Sequence, residues 1–319
     1  MTGSPARSHA AATTDVQERG TDASHPKAQL QRATPQSRRR ISPLWGTSLF
    51  FLYVAAFLVL PTILIAVSAF QDSDGTFSTT NFSVLTETNT VEAFGTSLLV
   101  SLASALISAI IGGAAANALE VLSQTRPLLR RLVTSLCSVL AQFGGVMLAF
   151  AFIATIGVTG VLTQLLKTMF GVEIDPTWLS TLPGLTLVYC YFQIPLMIIV
   201  FLPALDGVRP QWREANAVFG GSIWTYWTKV AGPILWPAFL GSVILLFANA
   251  FSSFATAAAL FSQRSILVPL MIQSNMSNEL DTTQQGSAAM LALAMIVVVP
   301  IAMALNWMLS AKSERWSQQ

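Results

Sequence analysis

Long apolar runs recur along the chain at approximately Trp45–Phe70, Phe94–Leu119, Leu132–Ile156, Leu182–Leu205, Ile234–Leu260 and Ala288–Leu309. A helix of about 20 apolar residues crosses a hydrocarbon core. The pattern therefore predicts six transmembrane helices in an all-α, polytopic membrane protein. Pro183, Pro195 and Pro203 are expected to break or bend the fourth of them. Ahead of the first run lie some forty residues rich in Ser, Thr, Ala, Gln and Arg without apolar periodicity, a composition that cannot bury a core. The expected organisation is a disordered tail over 1–42, a six-helix domain over 43–312 that includes a polar loop at 207–233, and a short tail over 313–319. The first apolar run starts at Leu44 and is long enough to stay in the membrane, unlike a secretory signal.

Composition agrees with that class. Of the 319 residues 53% are hydrophobic and 10% charged, against about 25% charged in soluble domains. The positions of the basic residues set the orientation, because Lys and Arg accumulate in short cytoplasmic loops. The N-terminal segment holds Arg7, Arg19, Lys27, Arg32, Arg38, Arg39 and Arg40. The second-to-third connection holds Arg126, Arg130 and Arg131, the fourth-to-fifth holds Arg209, Arg213 and Lys229, and the C-terminus holds Lys312 and Arg315. Only Lys167 and Arg264 fall on the opposite side. Both termini and the 207–233 loop are thus expected in the cytoplasm of a cell membrane crossed several times, with Arg38 to Arg40 as an anchor beside anionic headgroups.

The absences narrow the chemistry. No Asp, Glu, Lys, Arg or His lies in any of the six runs, and His9 and His25 both belong to the N-terminal segment. Proton-coupled carriers rely on ionisable residues within the membrane, and metallo- or serine proteases need a histidine near their ligands or nucleophile. The sequence also lacks a GxxxxGK[ST] phosphate loop. No catalysis, cofactor or metal is expected, and Cys137 and Cys190 read as packing residues. Sodium coupling through carbonyls and hydroxyls stays open.

Energy must then come from a gradient or from a partner. The stretch "REANAVFGGSIWTYWTKVAGP" at 213–233 is polar for a loop between two long apolar runs. Pro210 suits a helix's first turn, and Trp212, Ala215, Asn216 and Phe219 share one face at helical spacing. Gly220-Gly221 should end this helix. Ser222 can cap a second one running to about Ala231, with Pro233 stopping it. A helix, a glycine turn and a second helix, with an apolar face, suit a groove on another protein. An interfacial amphipathic connector is the alternative.

Glu214-Ala215-Asn216, then Gly220 after three intervening residues, then Val230-Ala-Gly-Pro233 after nine more, resembles the cytoplasmic loop E-A-A-x3-G-x9-I-x-L-P of binding-protein-dependent ABC importer permeases. Asn216 replaces the second Ala, Gly232 replaces Leu, and Val230 substitutes for Ile. The resemblance runs from about Phe94 to the C-terminus and implies the five-helix core of the type I importer fold with one extra N-terminal span. It further implies that Glu214, Ala215, Ala217, Phe219, Gly220, Gly221 and Pro233 form the region coupled to an ATPase. Glu214 would face that ATPase, Ala215 would allow close packing and Gly220 would make the turn. The partners so implied are a dimer of ABC ATPase subunits, a second permease subunit and an extracytoplasmic binding protein, within the lipid bilayer and with no nucleic acid.

Polar residues in the runs are the candidates for a translocation path: Gln142, Gln193, Asn249, Ser252, Ser253 and Thr256. Such residues also serve as interhelical hydrogen bonds. The stretch "FANAFSSFATAAALFSQRSILVPLMI" resembles polyamine, phosphonate and ferric-iron permeases more than sugar permeases, which gives a polyamine-type solute as the first expectation. The runs offer no carboxylate to receive a polycation, so selection would fall to the binding protein. An ion-coupled secondary transporter or a passive channel is the competing reading.

Overall fold

The computed structural model describes residues 43–71, 76–123, 125–171, 175, 178–261, 267–277 and 282–317. The expected tail over 1–42 and residues 318–319 lie outside the described residues. The chain divides into two compact units, 1–52 and 53–319. Of the first, only the helical turns from Pro43 onward are described.

Among the described residues the elements are helical throughout, apart from an isolated bridge between Gln71 and Phe77. In chain order they are α1 (Pro43–Val54), α2 (Leu60–Ala69), α3 (Ser83–Thr86), α4 (Thr88–Ser123), α5 (Pro127–Gln142), α6 (Gly145–Ile156) and α7 (Val161–Phe170). There follow α8 (Leu182–Asp206), α9 (Pro210–Val218), α10 (Ile223–Tyr226), α11 (Gly232–Phe251), α12 (Phe254–Leu260), α13 (Val268–Met276) and α14 (Thr282–Ser317). Helices dominate because a spanning segment has no water to satisfy its backbone and must do so internally. Among the described residues six segments are long and apolar enough to cross: Phe50–Ala69, Thr88–Leu122, Gly145–Phe170, Leu182–Asp206, Ile223–Phe251 and Gln285–Ala304.

The centre of the larger unit is the contact between α4 and α8. One stripe of α4 is built from small residues: Ser97, Ser101, Ser104, Ala105, Ser108, Ala109 and Ala116 are all buried. A Cβ added at Gly112 would lie 2.7 Å from Met197 Cβ and 2.8 Å from the Ile194 carbonyl oxygen. The backbones therefore approach too closely for any side chain there, the mode by which membrane helices gain packing without a hydrophobic driving force. Gln193 of α8 enters this seam fully buried and donates through Nε2 to Ser104 Oγ at 3.3 Å. Helices α5 and α11 pack on α8, α12 packs on α6, and α14 packs against α2, α11 and α13. Outward-facing Ile110, Val139, Met147 and Phe150 are exposed, as a lipid-facing surface requires.

The expected bounds need four corrections. The run over 132–156 is not one helix, since α5 ends at Gln142 and α6 starts at Gly145, whose φ of 69° only glycine adopts readily. The fifth run breaks at Ser252–Ser253, where Ser252 Oγ donates back to the Ala248 carbonyl at 2.9 Å and competes with helix continuation. Pro195 and Pro203 do not break the fourth helix: α8 is continuous and Pro183 sits in its first turn. Pro233 does not stop the second loop helix either. A π-turn over Trp227–Ala231 joins α10 to α11, and Pro233 lies in the first turn of α11. The same arrangement precedes Pro61, with a π-turn over Ala55–Val59. Proline clashes with the carbonyl four residues before it, and a widened turn moves that carbonyl aside.

Two polar contacts tie helix ends together. Arg130 in the first turn of α5 pairs with Asp206 at the end of α8 at 2.5 Å, both partly exposed. Asn81 donates to the carbonyls of Ala69 at 3.1 Å and Gln71 at 2.9 Å, satisfying the end of α2. Gly286 of α14 packs against that amide, where a Cβ would come within 2.6 Å of Asn81 Nδ2.

The seam makes a prediction. Gly112→Ala should destabilise the protein by about 1–3 kcal/mol, the usual cost of overpacking, seen as a lower unfolding temperature in detergent. Gly95, also on α4, has open space around it, so Gly95→Ala should leave stability equal or raise it by up to ~1 kcal/mol. Equal effects at the two sites would contradict the close approach.

Candidate functional site

The loop between α8 and α11 has the expected parts. Arg209 is extended and Pro210 occupies the first turn of α9. At the other end Gly220 has φ 72°. The Gly220 N–H donates to the Ala217 carbonyl at 3.0 Å and the Gly221 N–H to the Asn216 carbonyl at 2.8 Å. This pair of bonds is a Schellman ending, which satisfies carbonyls that the helix leaves open. Ser222 then caps α10, its Oγ accepting from the Thr225 N–H at 3.2 Å.

The two glycines serve different needs. No atom lies within 4 Å of where a Gly220 Cβ would stand, so its φ alone requires glycine. Gly221 has no positive φ, but a Cβ there would meet Asn216 Cγ at 2.6 Å and Nδ2 at 2.8 Å. The Asn216 amide fills that space because its Nδ2 donates to the Gly221 carbonyl at 3.0 Å and the Ser222 carbonyl at 3.2 Å. Two carbonyl acceptors fix which end of the amide points to the turn.

The apolar surface of the loop is at the turn. Phe219 is 90% exposed, Val218 84%, Trp224 76% and Ile223 67%. The expected face of Trp212, Ala215, Asn216 and Phe219 is thus corrected: Phe219 belongs to the exposed tip, while Asn216 folds inward against the glycines. Ala215 and Ala217 are exposed on α9, and Pro233 is exposed at the start of α11. Glu214 lines a cavity of about 380 Å³ between the loop and the ends of α4, α8 and α11, with Asn117, Glu120, Arg213, Tyr226 and Trp227 among its walls.

The polar residues of the runs separate into two groups. Gln142, Asn249 and Ser252 are exposed at or beside the two helix breaks. These breaks are neighbours, since a Cβ at Gly145 would lie 3.6 Å from Ala255 Cβ. Gln193 and Thr256 are fully buried, and Ser253 is half-buried. The sequence reading missed Tyr189, whose hydroxyl donates to the Ser253 carbonyl at 2.8 Å and so satisfies a group released by the second break. Its place four residues before Gln193, on the same helix face, is the signal that could have found it. Among the described residues no cluster of His, Cys, Asp or Glu could hold a metal, and Cys137 and Cys190 are buried free thiols.

No protein-family model matches the chain. A ferric transport system permease protein of Haemophilus influenzae is 24% identical over 64% of this chain and 32% of its own length, so the chain spans about a third of that longer relative. A sulfate transport system permease protein of Escherichia coli is 25% identical over 68% of the chain and 75% of the relative. A second sulfate permease protein, from Synechococcus elongatus, is 25% identical over 92% of the chain and 98% of the relative. Among solved structures, a bacterial ABC transporter involved in the import of alginate matches with a TM-score of 0.68 and 17% identity, over 84% of this chain and 96% of that one.

The described residues thus form a multi-pass arrangement of apolar helices long enough to span a membrane, with the fold of that solved transporter chain. Its sequence relatives are transport system permease proteins, and its fold matches that of a chain from a bacterial ABC transporter involved in import.

Tyr189→Phe should leave the Ser253 carbonyl buried without its donor. The expected loss is about 1–3 kcal/mol of stability, measured by thermal unfolding in detergent. An unchanged unfolding temperature would show that the bond does not hold the break.

Proposed function

We propose that the chain forms the translocation path of an ATP-driven importer, and that its loop over 207–233 is where a separate ATPase subunit docks. The observation that carries this is the exposed apolar tip of Val218, Phe219, Ile223 and Trp224, held on a rigid glycine turn ahead of the penultimate span. A connector lying in the membrane interface has no need of such a turn. A second permease subunit completes the membrane part, and an extracytoplasmic binding protein delivers the solute. In support, a solved relative of the fold is a bacterial alginate ABC transporter in complex with its alginate-pentasaccharide-bound periplasmic protein; it matches with a TM-score of 0.62 and 15% identity over 84% of this chain and 93% of that one.

The loop and both termini face the cytoplasm of the bacterial inner membrane in this reading. The basic residues support it, and so does the Arg130–Asp206 pair, which joins the start of α5 to the end of α8 on one side. The path runs past the two helix breaks, with Gln142, Asn249 and Ser252 presenting uncharged polar groups, while Gln193, Ser253 and Thr256 brace the bundle behind them. The solute is a small polar one. Spermidine, sulfate and ferric ion are the three to compare, the first from the sequence pattern and the other two from the names of relatives.

Uptake in proteoliposomes should require the ATPase, a permease pair, the binding protein and ATP together. Ion-driven uptake by this chain alone would favour a secondary transporter instead. Gly220→Val forces a β-branched residue to φ 72°, which costs about 1–2 kcal/mol in the turn. That variant and Glu214→Lys should insert normally yet lose ATPase association or transport, with Thr79→Ala as control. Full transport by both would leave the connector reading standing. For orientation, a cysteine probe at Thr79 should label from outside intact cells and one at Ser222 should not; the native cysteines are buried and silent.

A further inference from the structure

We infer that Asn216 is a positioning residue of the loop, its amide locking against Gly221 so that α10 follows α9 at one fixed angle. The inference rests on the coupling reading for its functional consequence, but its geometry stands on the chain itself. A Schellman ending commonly carries a hydrophobic contact between the residue two past the cap and the one three before the helix end. Those positions are Gly221 and Asn216 here, and neither can supply it. A polar contact takes its place: Asn216 Nδ2 donates to the carbonyls of Gly221 and Ser222, the two residues that lead into α10. These bonds cross the turn, whereas the Gly220 and Gly221 N–H bonds only end α9 and the Ser222 cap only starts α10.

The amide and the missing Cβ at Gly221 define each other. With Asn216 present the space beside Gly221 is full. The loop pattern that this region resembles has Ala at 216, which leaves the space empty and the turn without a brace. Gly221 is thus required because of Asn216, and the pair acts as one unit. A push delivered at Phe219 would reach α11 through a braced turn rather than a free glycine hinge.

A double-mutant cycle tests this. Gly221→Ala alone should lower solute moved per ATP hydrolysed by about fivefold or more, and in the Asn216→Ala background it should add less than about twofold, the non-additivity expected of touching residues. Asn216→Asp keeps the shape but turns an acceptor toward two carbonyls, and should behave like Gly221→Ala. Equal losses from Gly221→Ala in both backgrounds would overturn the proposal. Spin labels at Gln211 and Thr228 supply a readout that needs no ATPase. The distance distribution should be narrow in the native sequence and broad in Asn216→Asp, and an unchanged distribution would overturn the brace. Co-purification with the ATPase is scored separately. An ATPase that never binds the native loop would sink the coupling reading, and the label distances would still decide the brace.

Discussion

The absence of a side chain at Gly112 sets the distance between α4 and α8, and most of the larger unit is arranged around that contact. In lipid the tails are as apolar as leucine, so helices associate through close packing and polar contacts rather than through release of water. A stripe of serine and alanine on α4 supplies both, the small volumes allowing approach and Ser104 receiving the Gln193 amide. With α8 fixed in this way, Tyr189 is carried to the carbonyl of Ser253 and Asp206 to Arg130. The loop starts one residue after Asp206, so its position inherits that of α8.

Four interruptions of helices among the described residues have a local cause. Proline explains the two π-turns, each placed just before it. Glycine with positive φ explains the start of α6, and serine hydroxyls bonding backwards explain the break after α11. The carbonyls released are met by side chains from elsewhere, as a buried backbone requires. Asn81 does this at the end of α2 with Gly286 packed on its amide, while Asn216, itself in α9, bonds the turn carbonyls of Gly221 and Ser222 with Gly221 packed on its amide. The asparagine-with-glycine pairing thus occurs twice, once between distant helices and once within a single turn.

How much of this was legible in the sequence depends on the length scale of the signal. Spanning helices follow from apolar length alone, and the turn at Gly220 follows from one glycine at one register. Pro210 and Ser222 were also readable, because capping is decided within four residues. The breaks inside the third and fifth runs were not, since Gly144-Gly145 and Ser252-Ser253 sit within apolar text where small residues are equally at home inside a spanning helix. Gln193 shows the same limit at the candidate site. Its polarity marks it as special, but only the depth of the α4–α8 seam distinguishes a path residue from a brace. Asn216 read as a departure from the family pattern until the space beside Gly221 was visible.

The loop combines two properties that pull against each other. Glycine pairs are entropically costly to order and flexible when unheld, yet the coupling role proposed for this loop requires a turn that does not bend where force is applied. Here the glycines are held on every side: two backbone bonds end α9, the Ser222 hydroxyl starts α10, and the Asn216 amide spans the gap. Beyond the turn, the π-turn makes α10 continuous with α11, so no second hinge intervenes before the membrane. The exposed Trp224 is thereby attached to a spanning helix through backbone hydrogen bonds, and Phe219 through the turn that the Asn216 amide braces. In the coupling role proposed for the loop, continuity of that kind would pass a displacement of α10 to α11, whose far end carries Asn249 and is capped by Ser252.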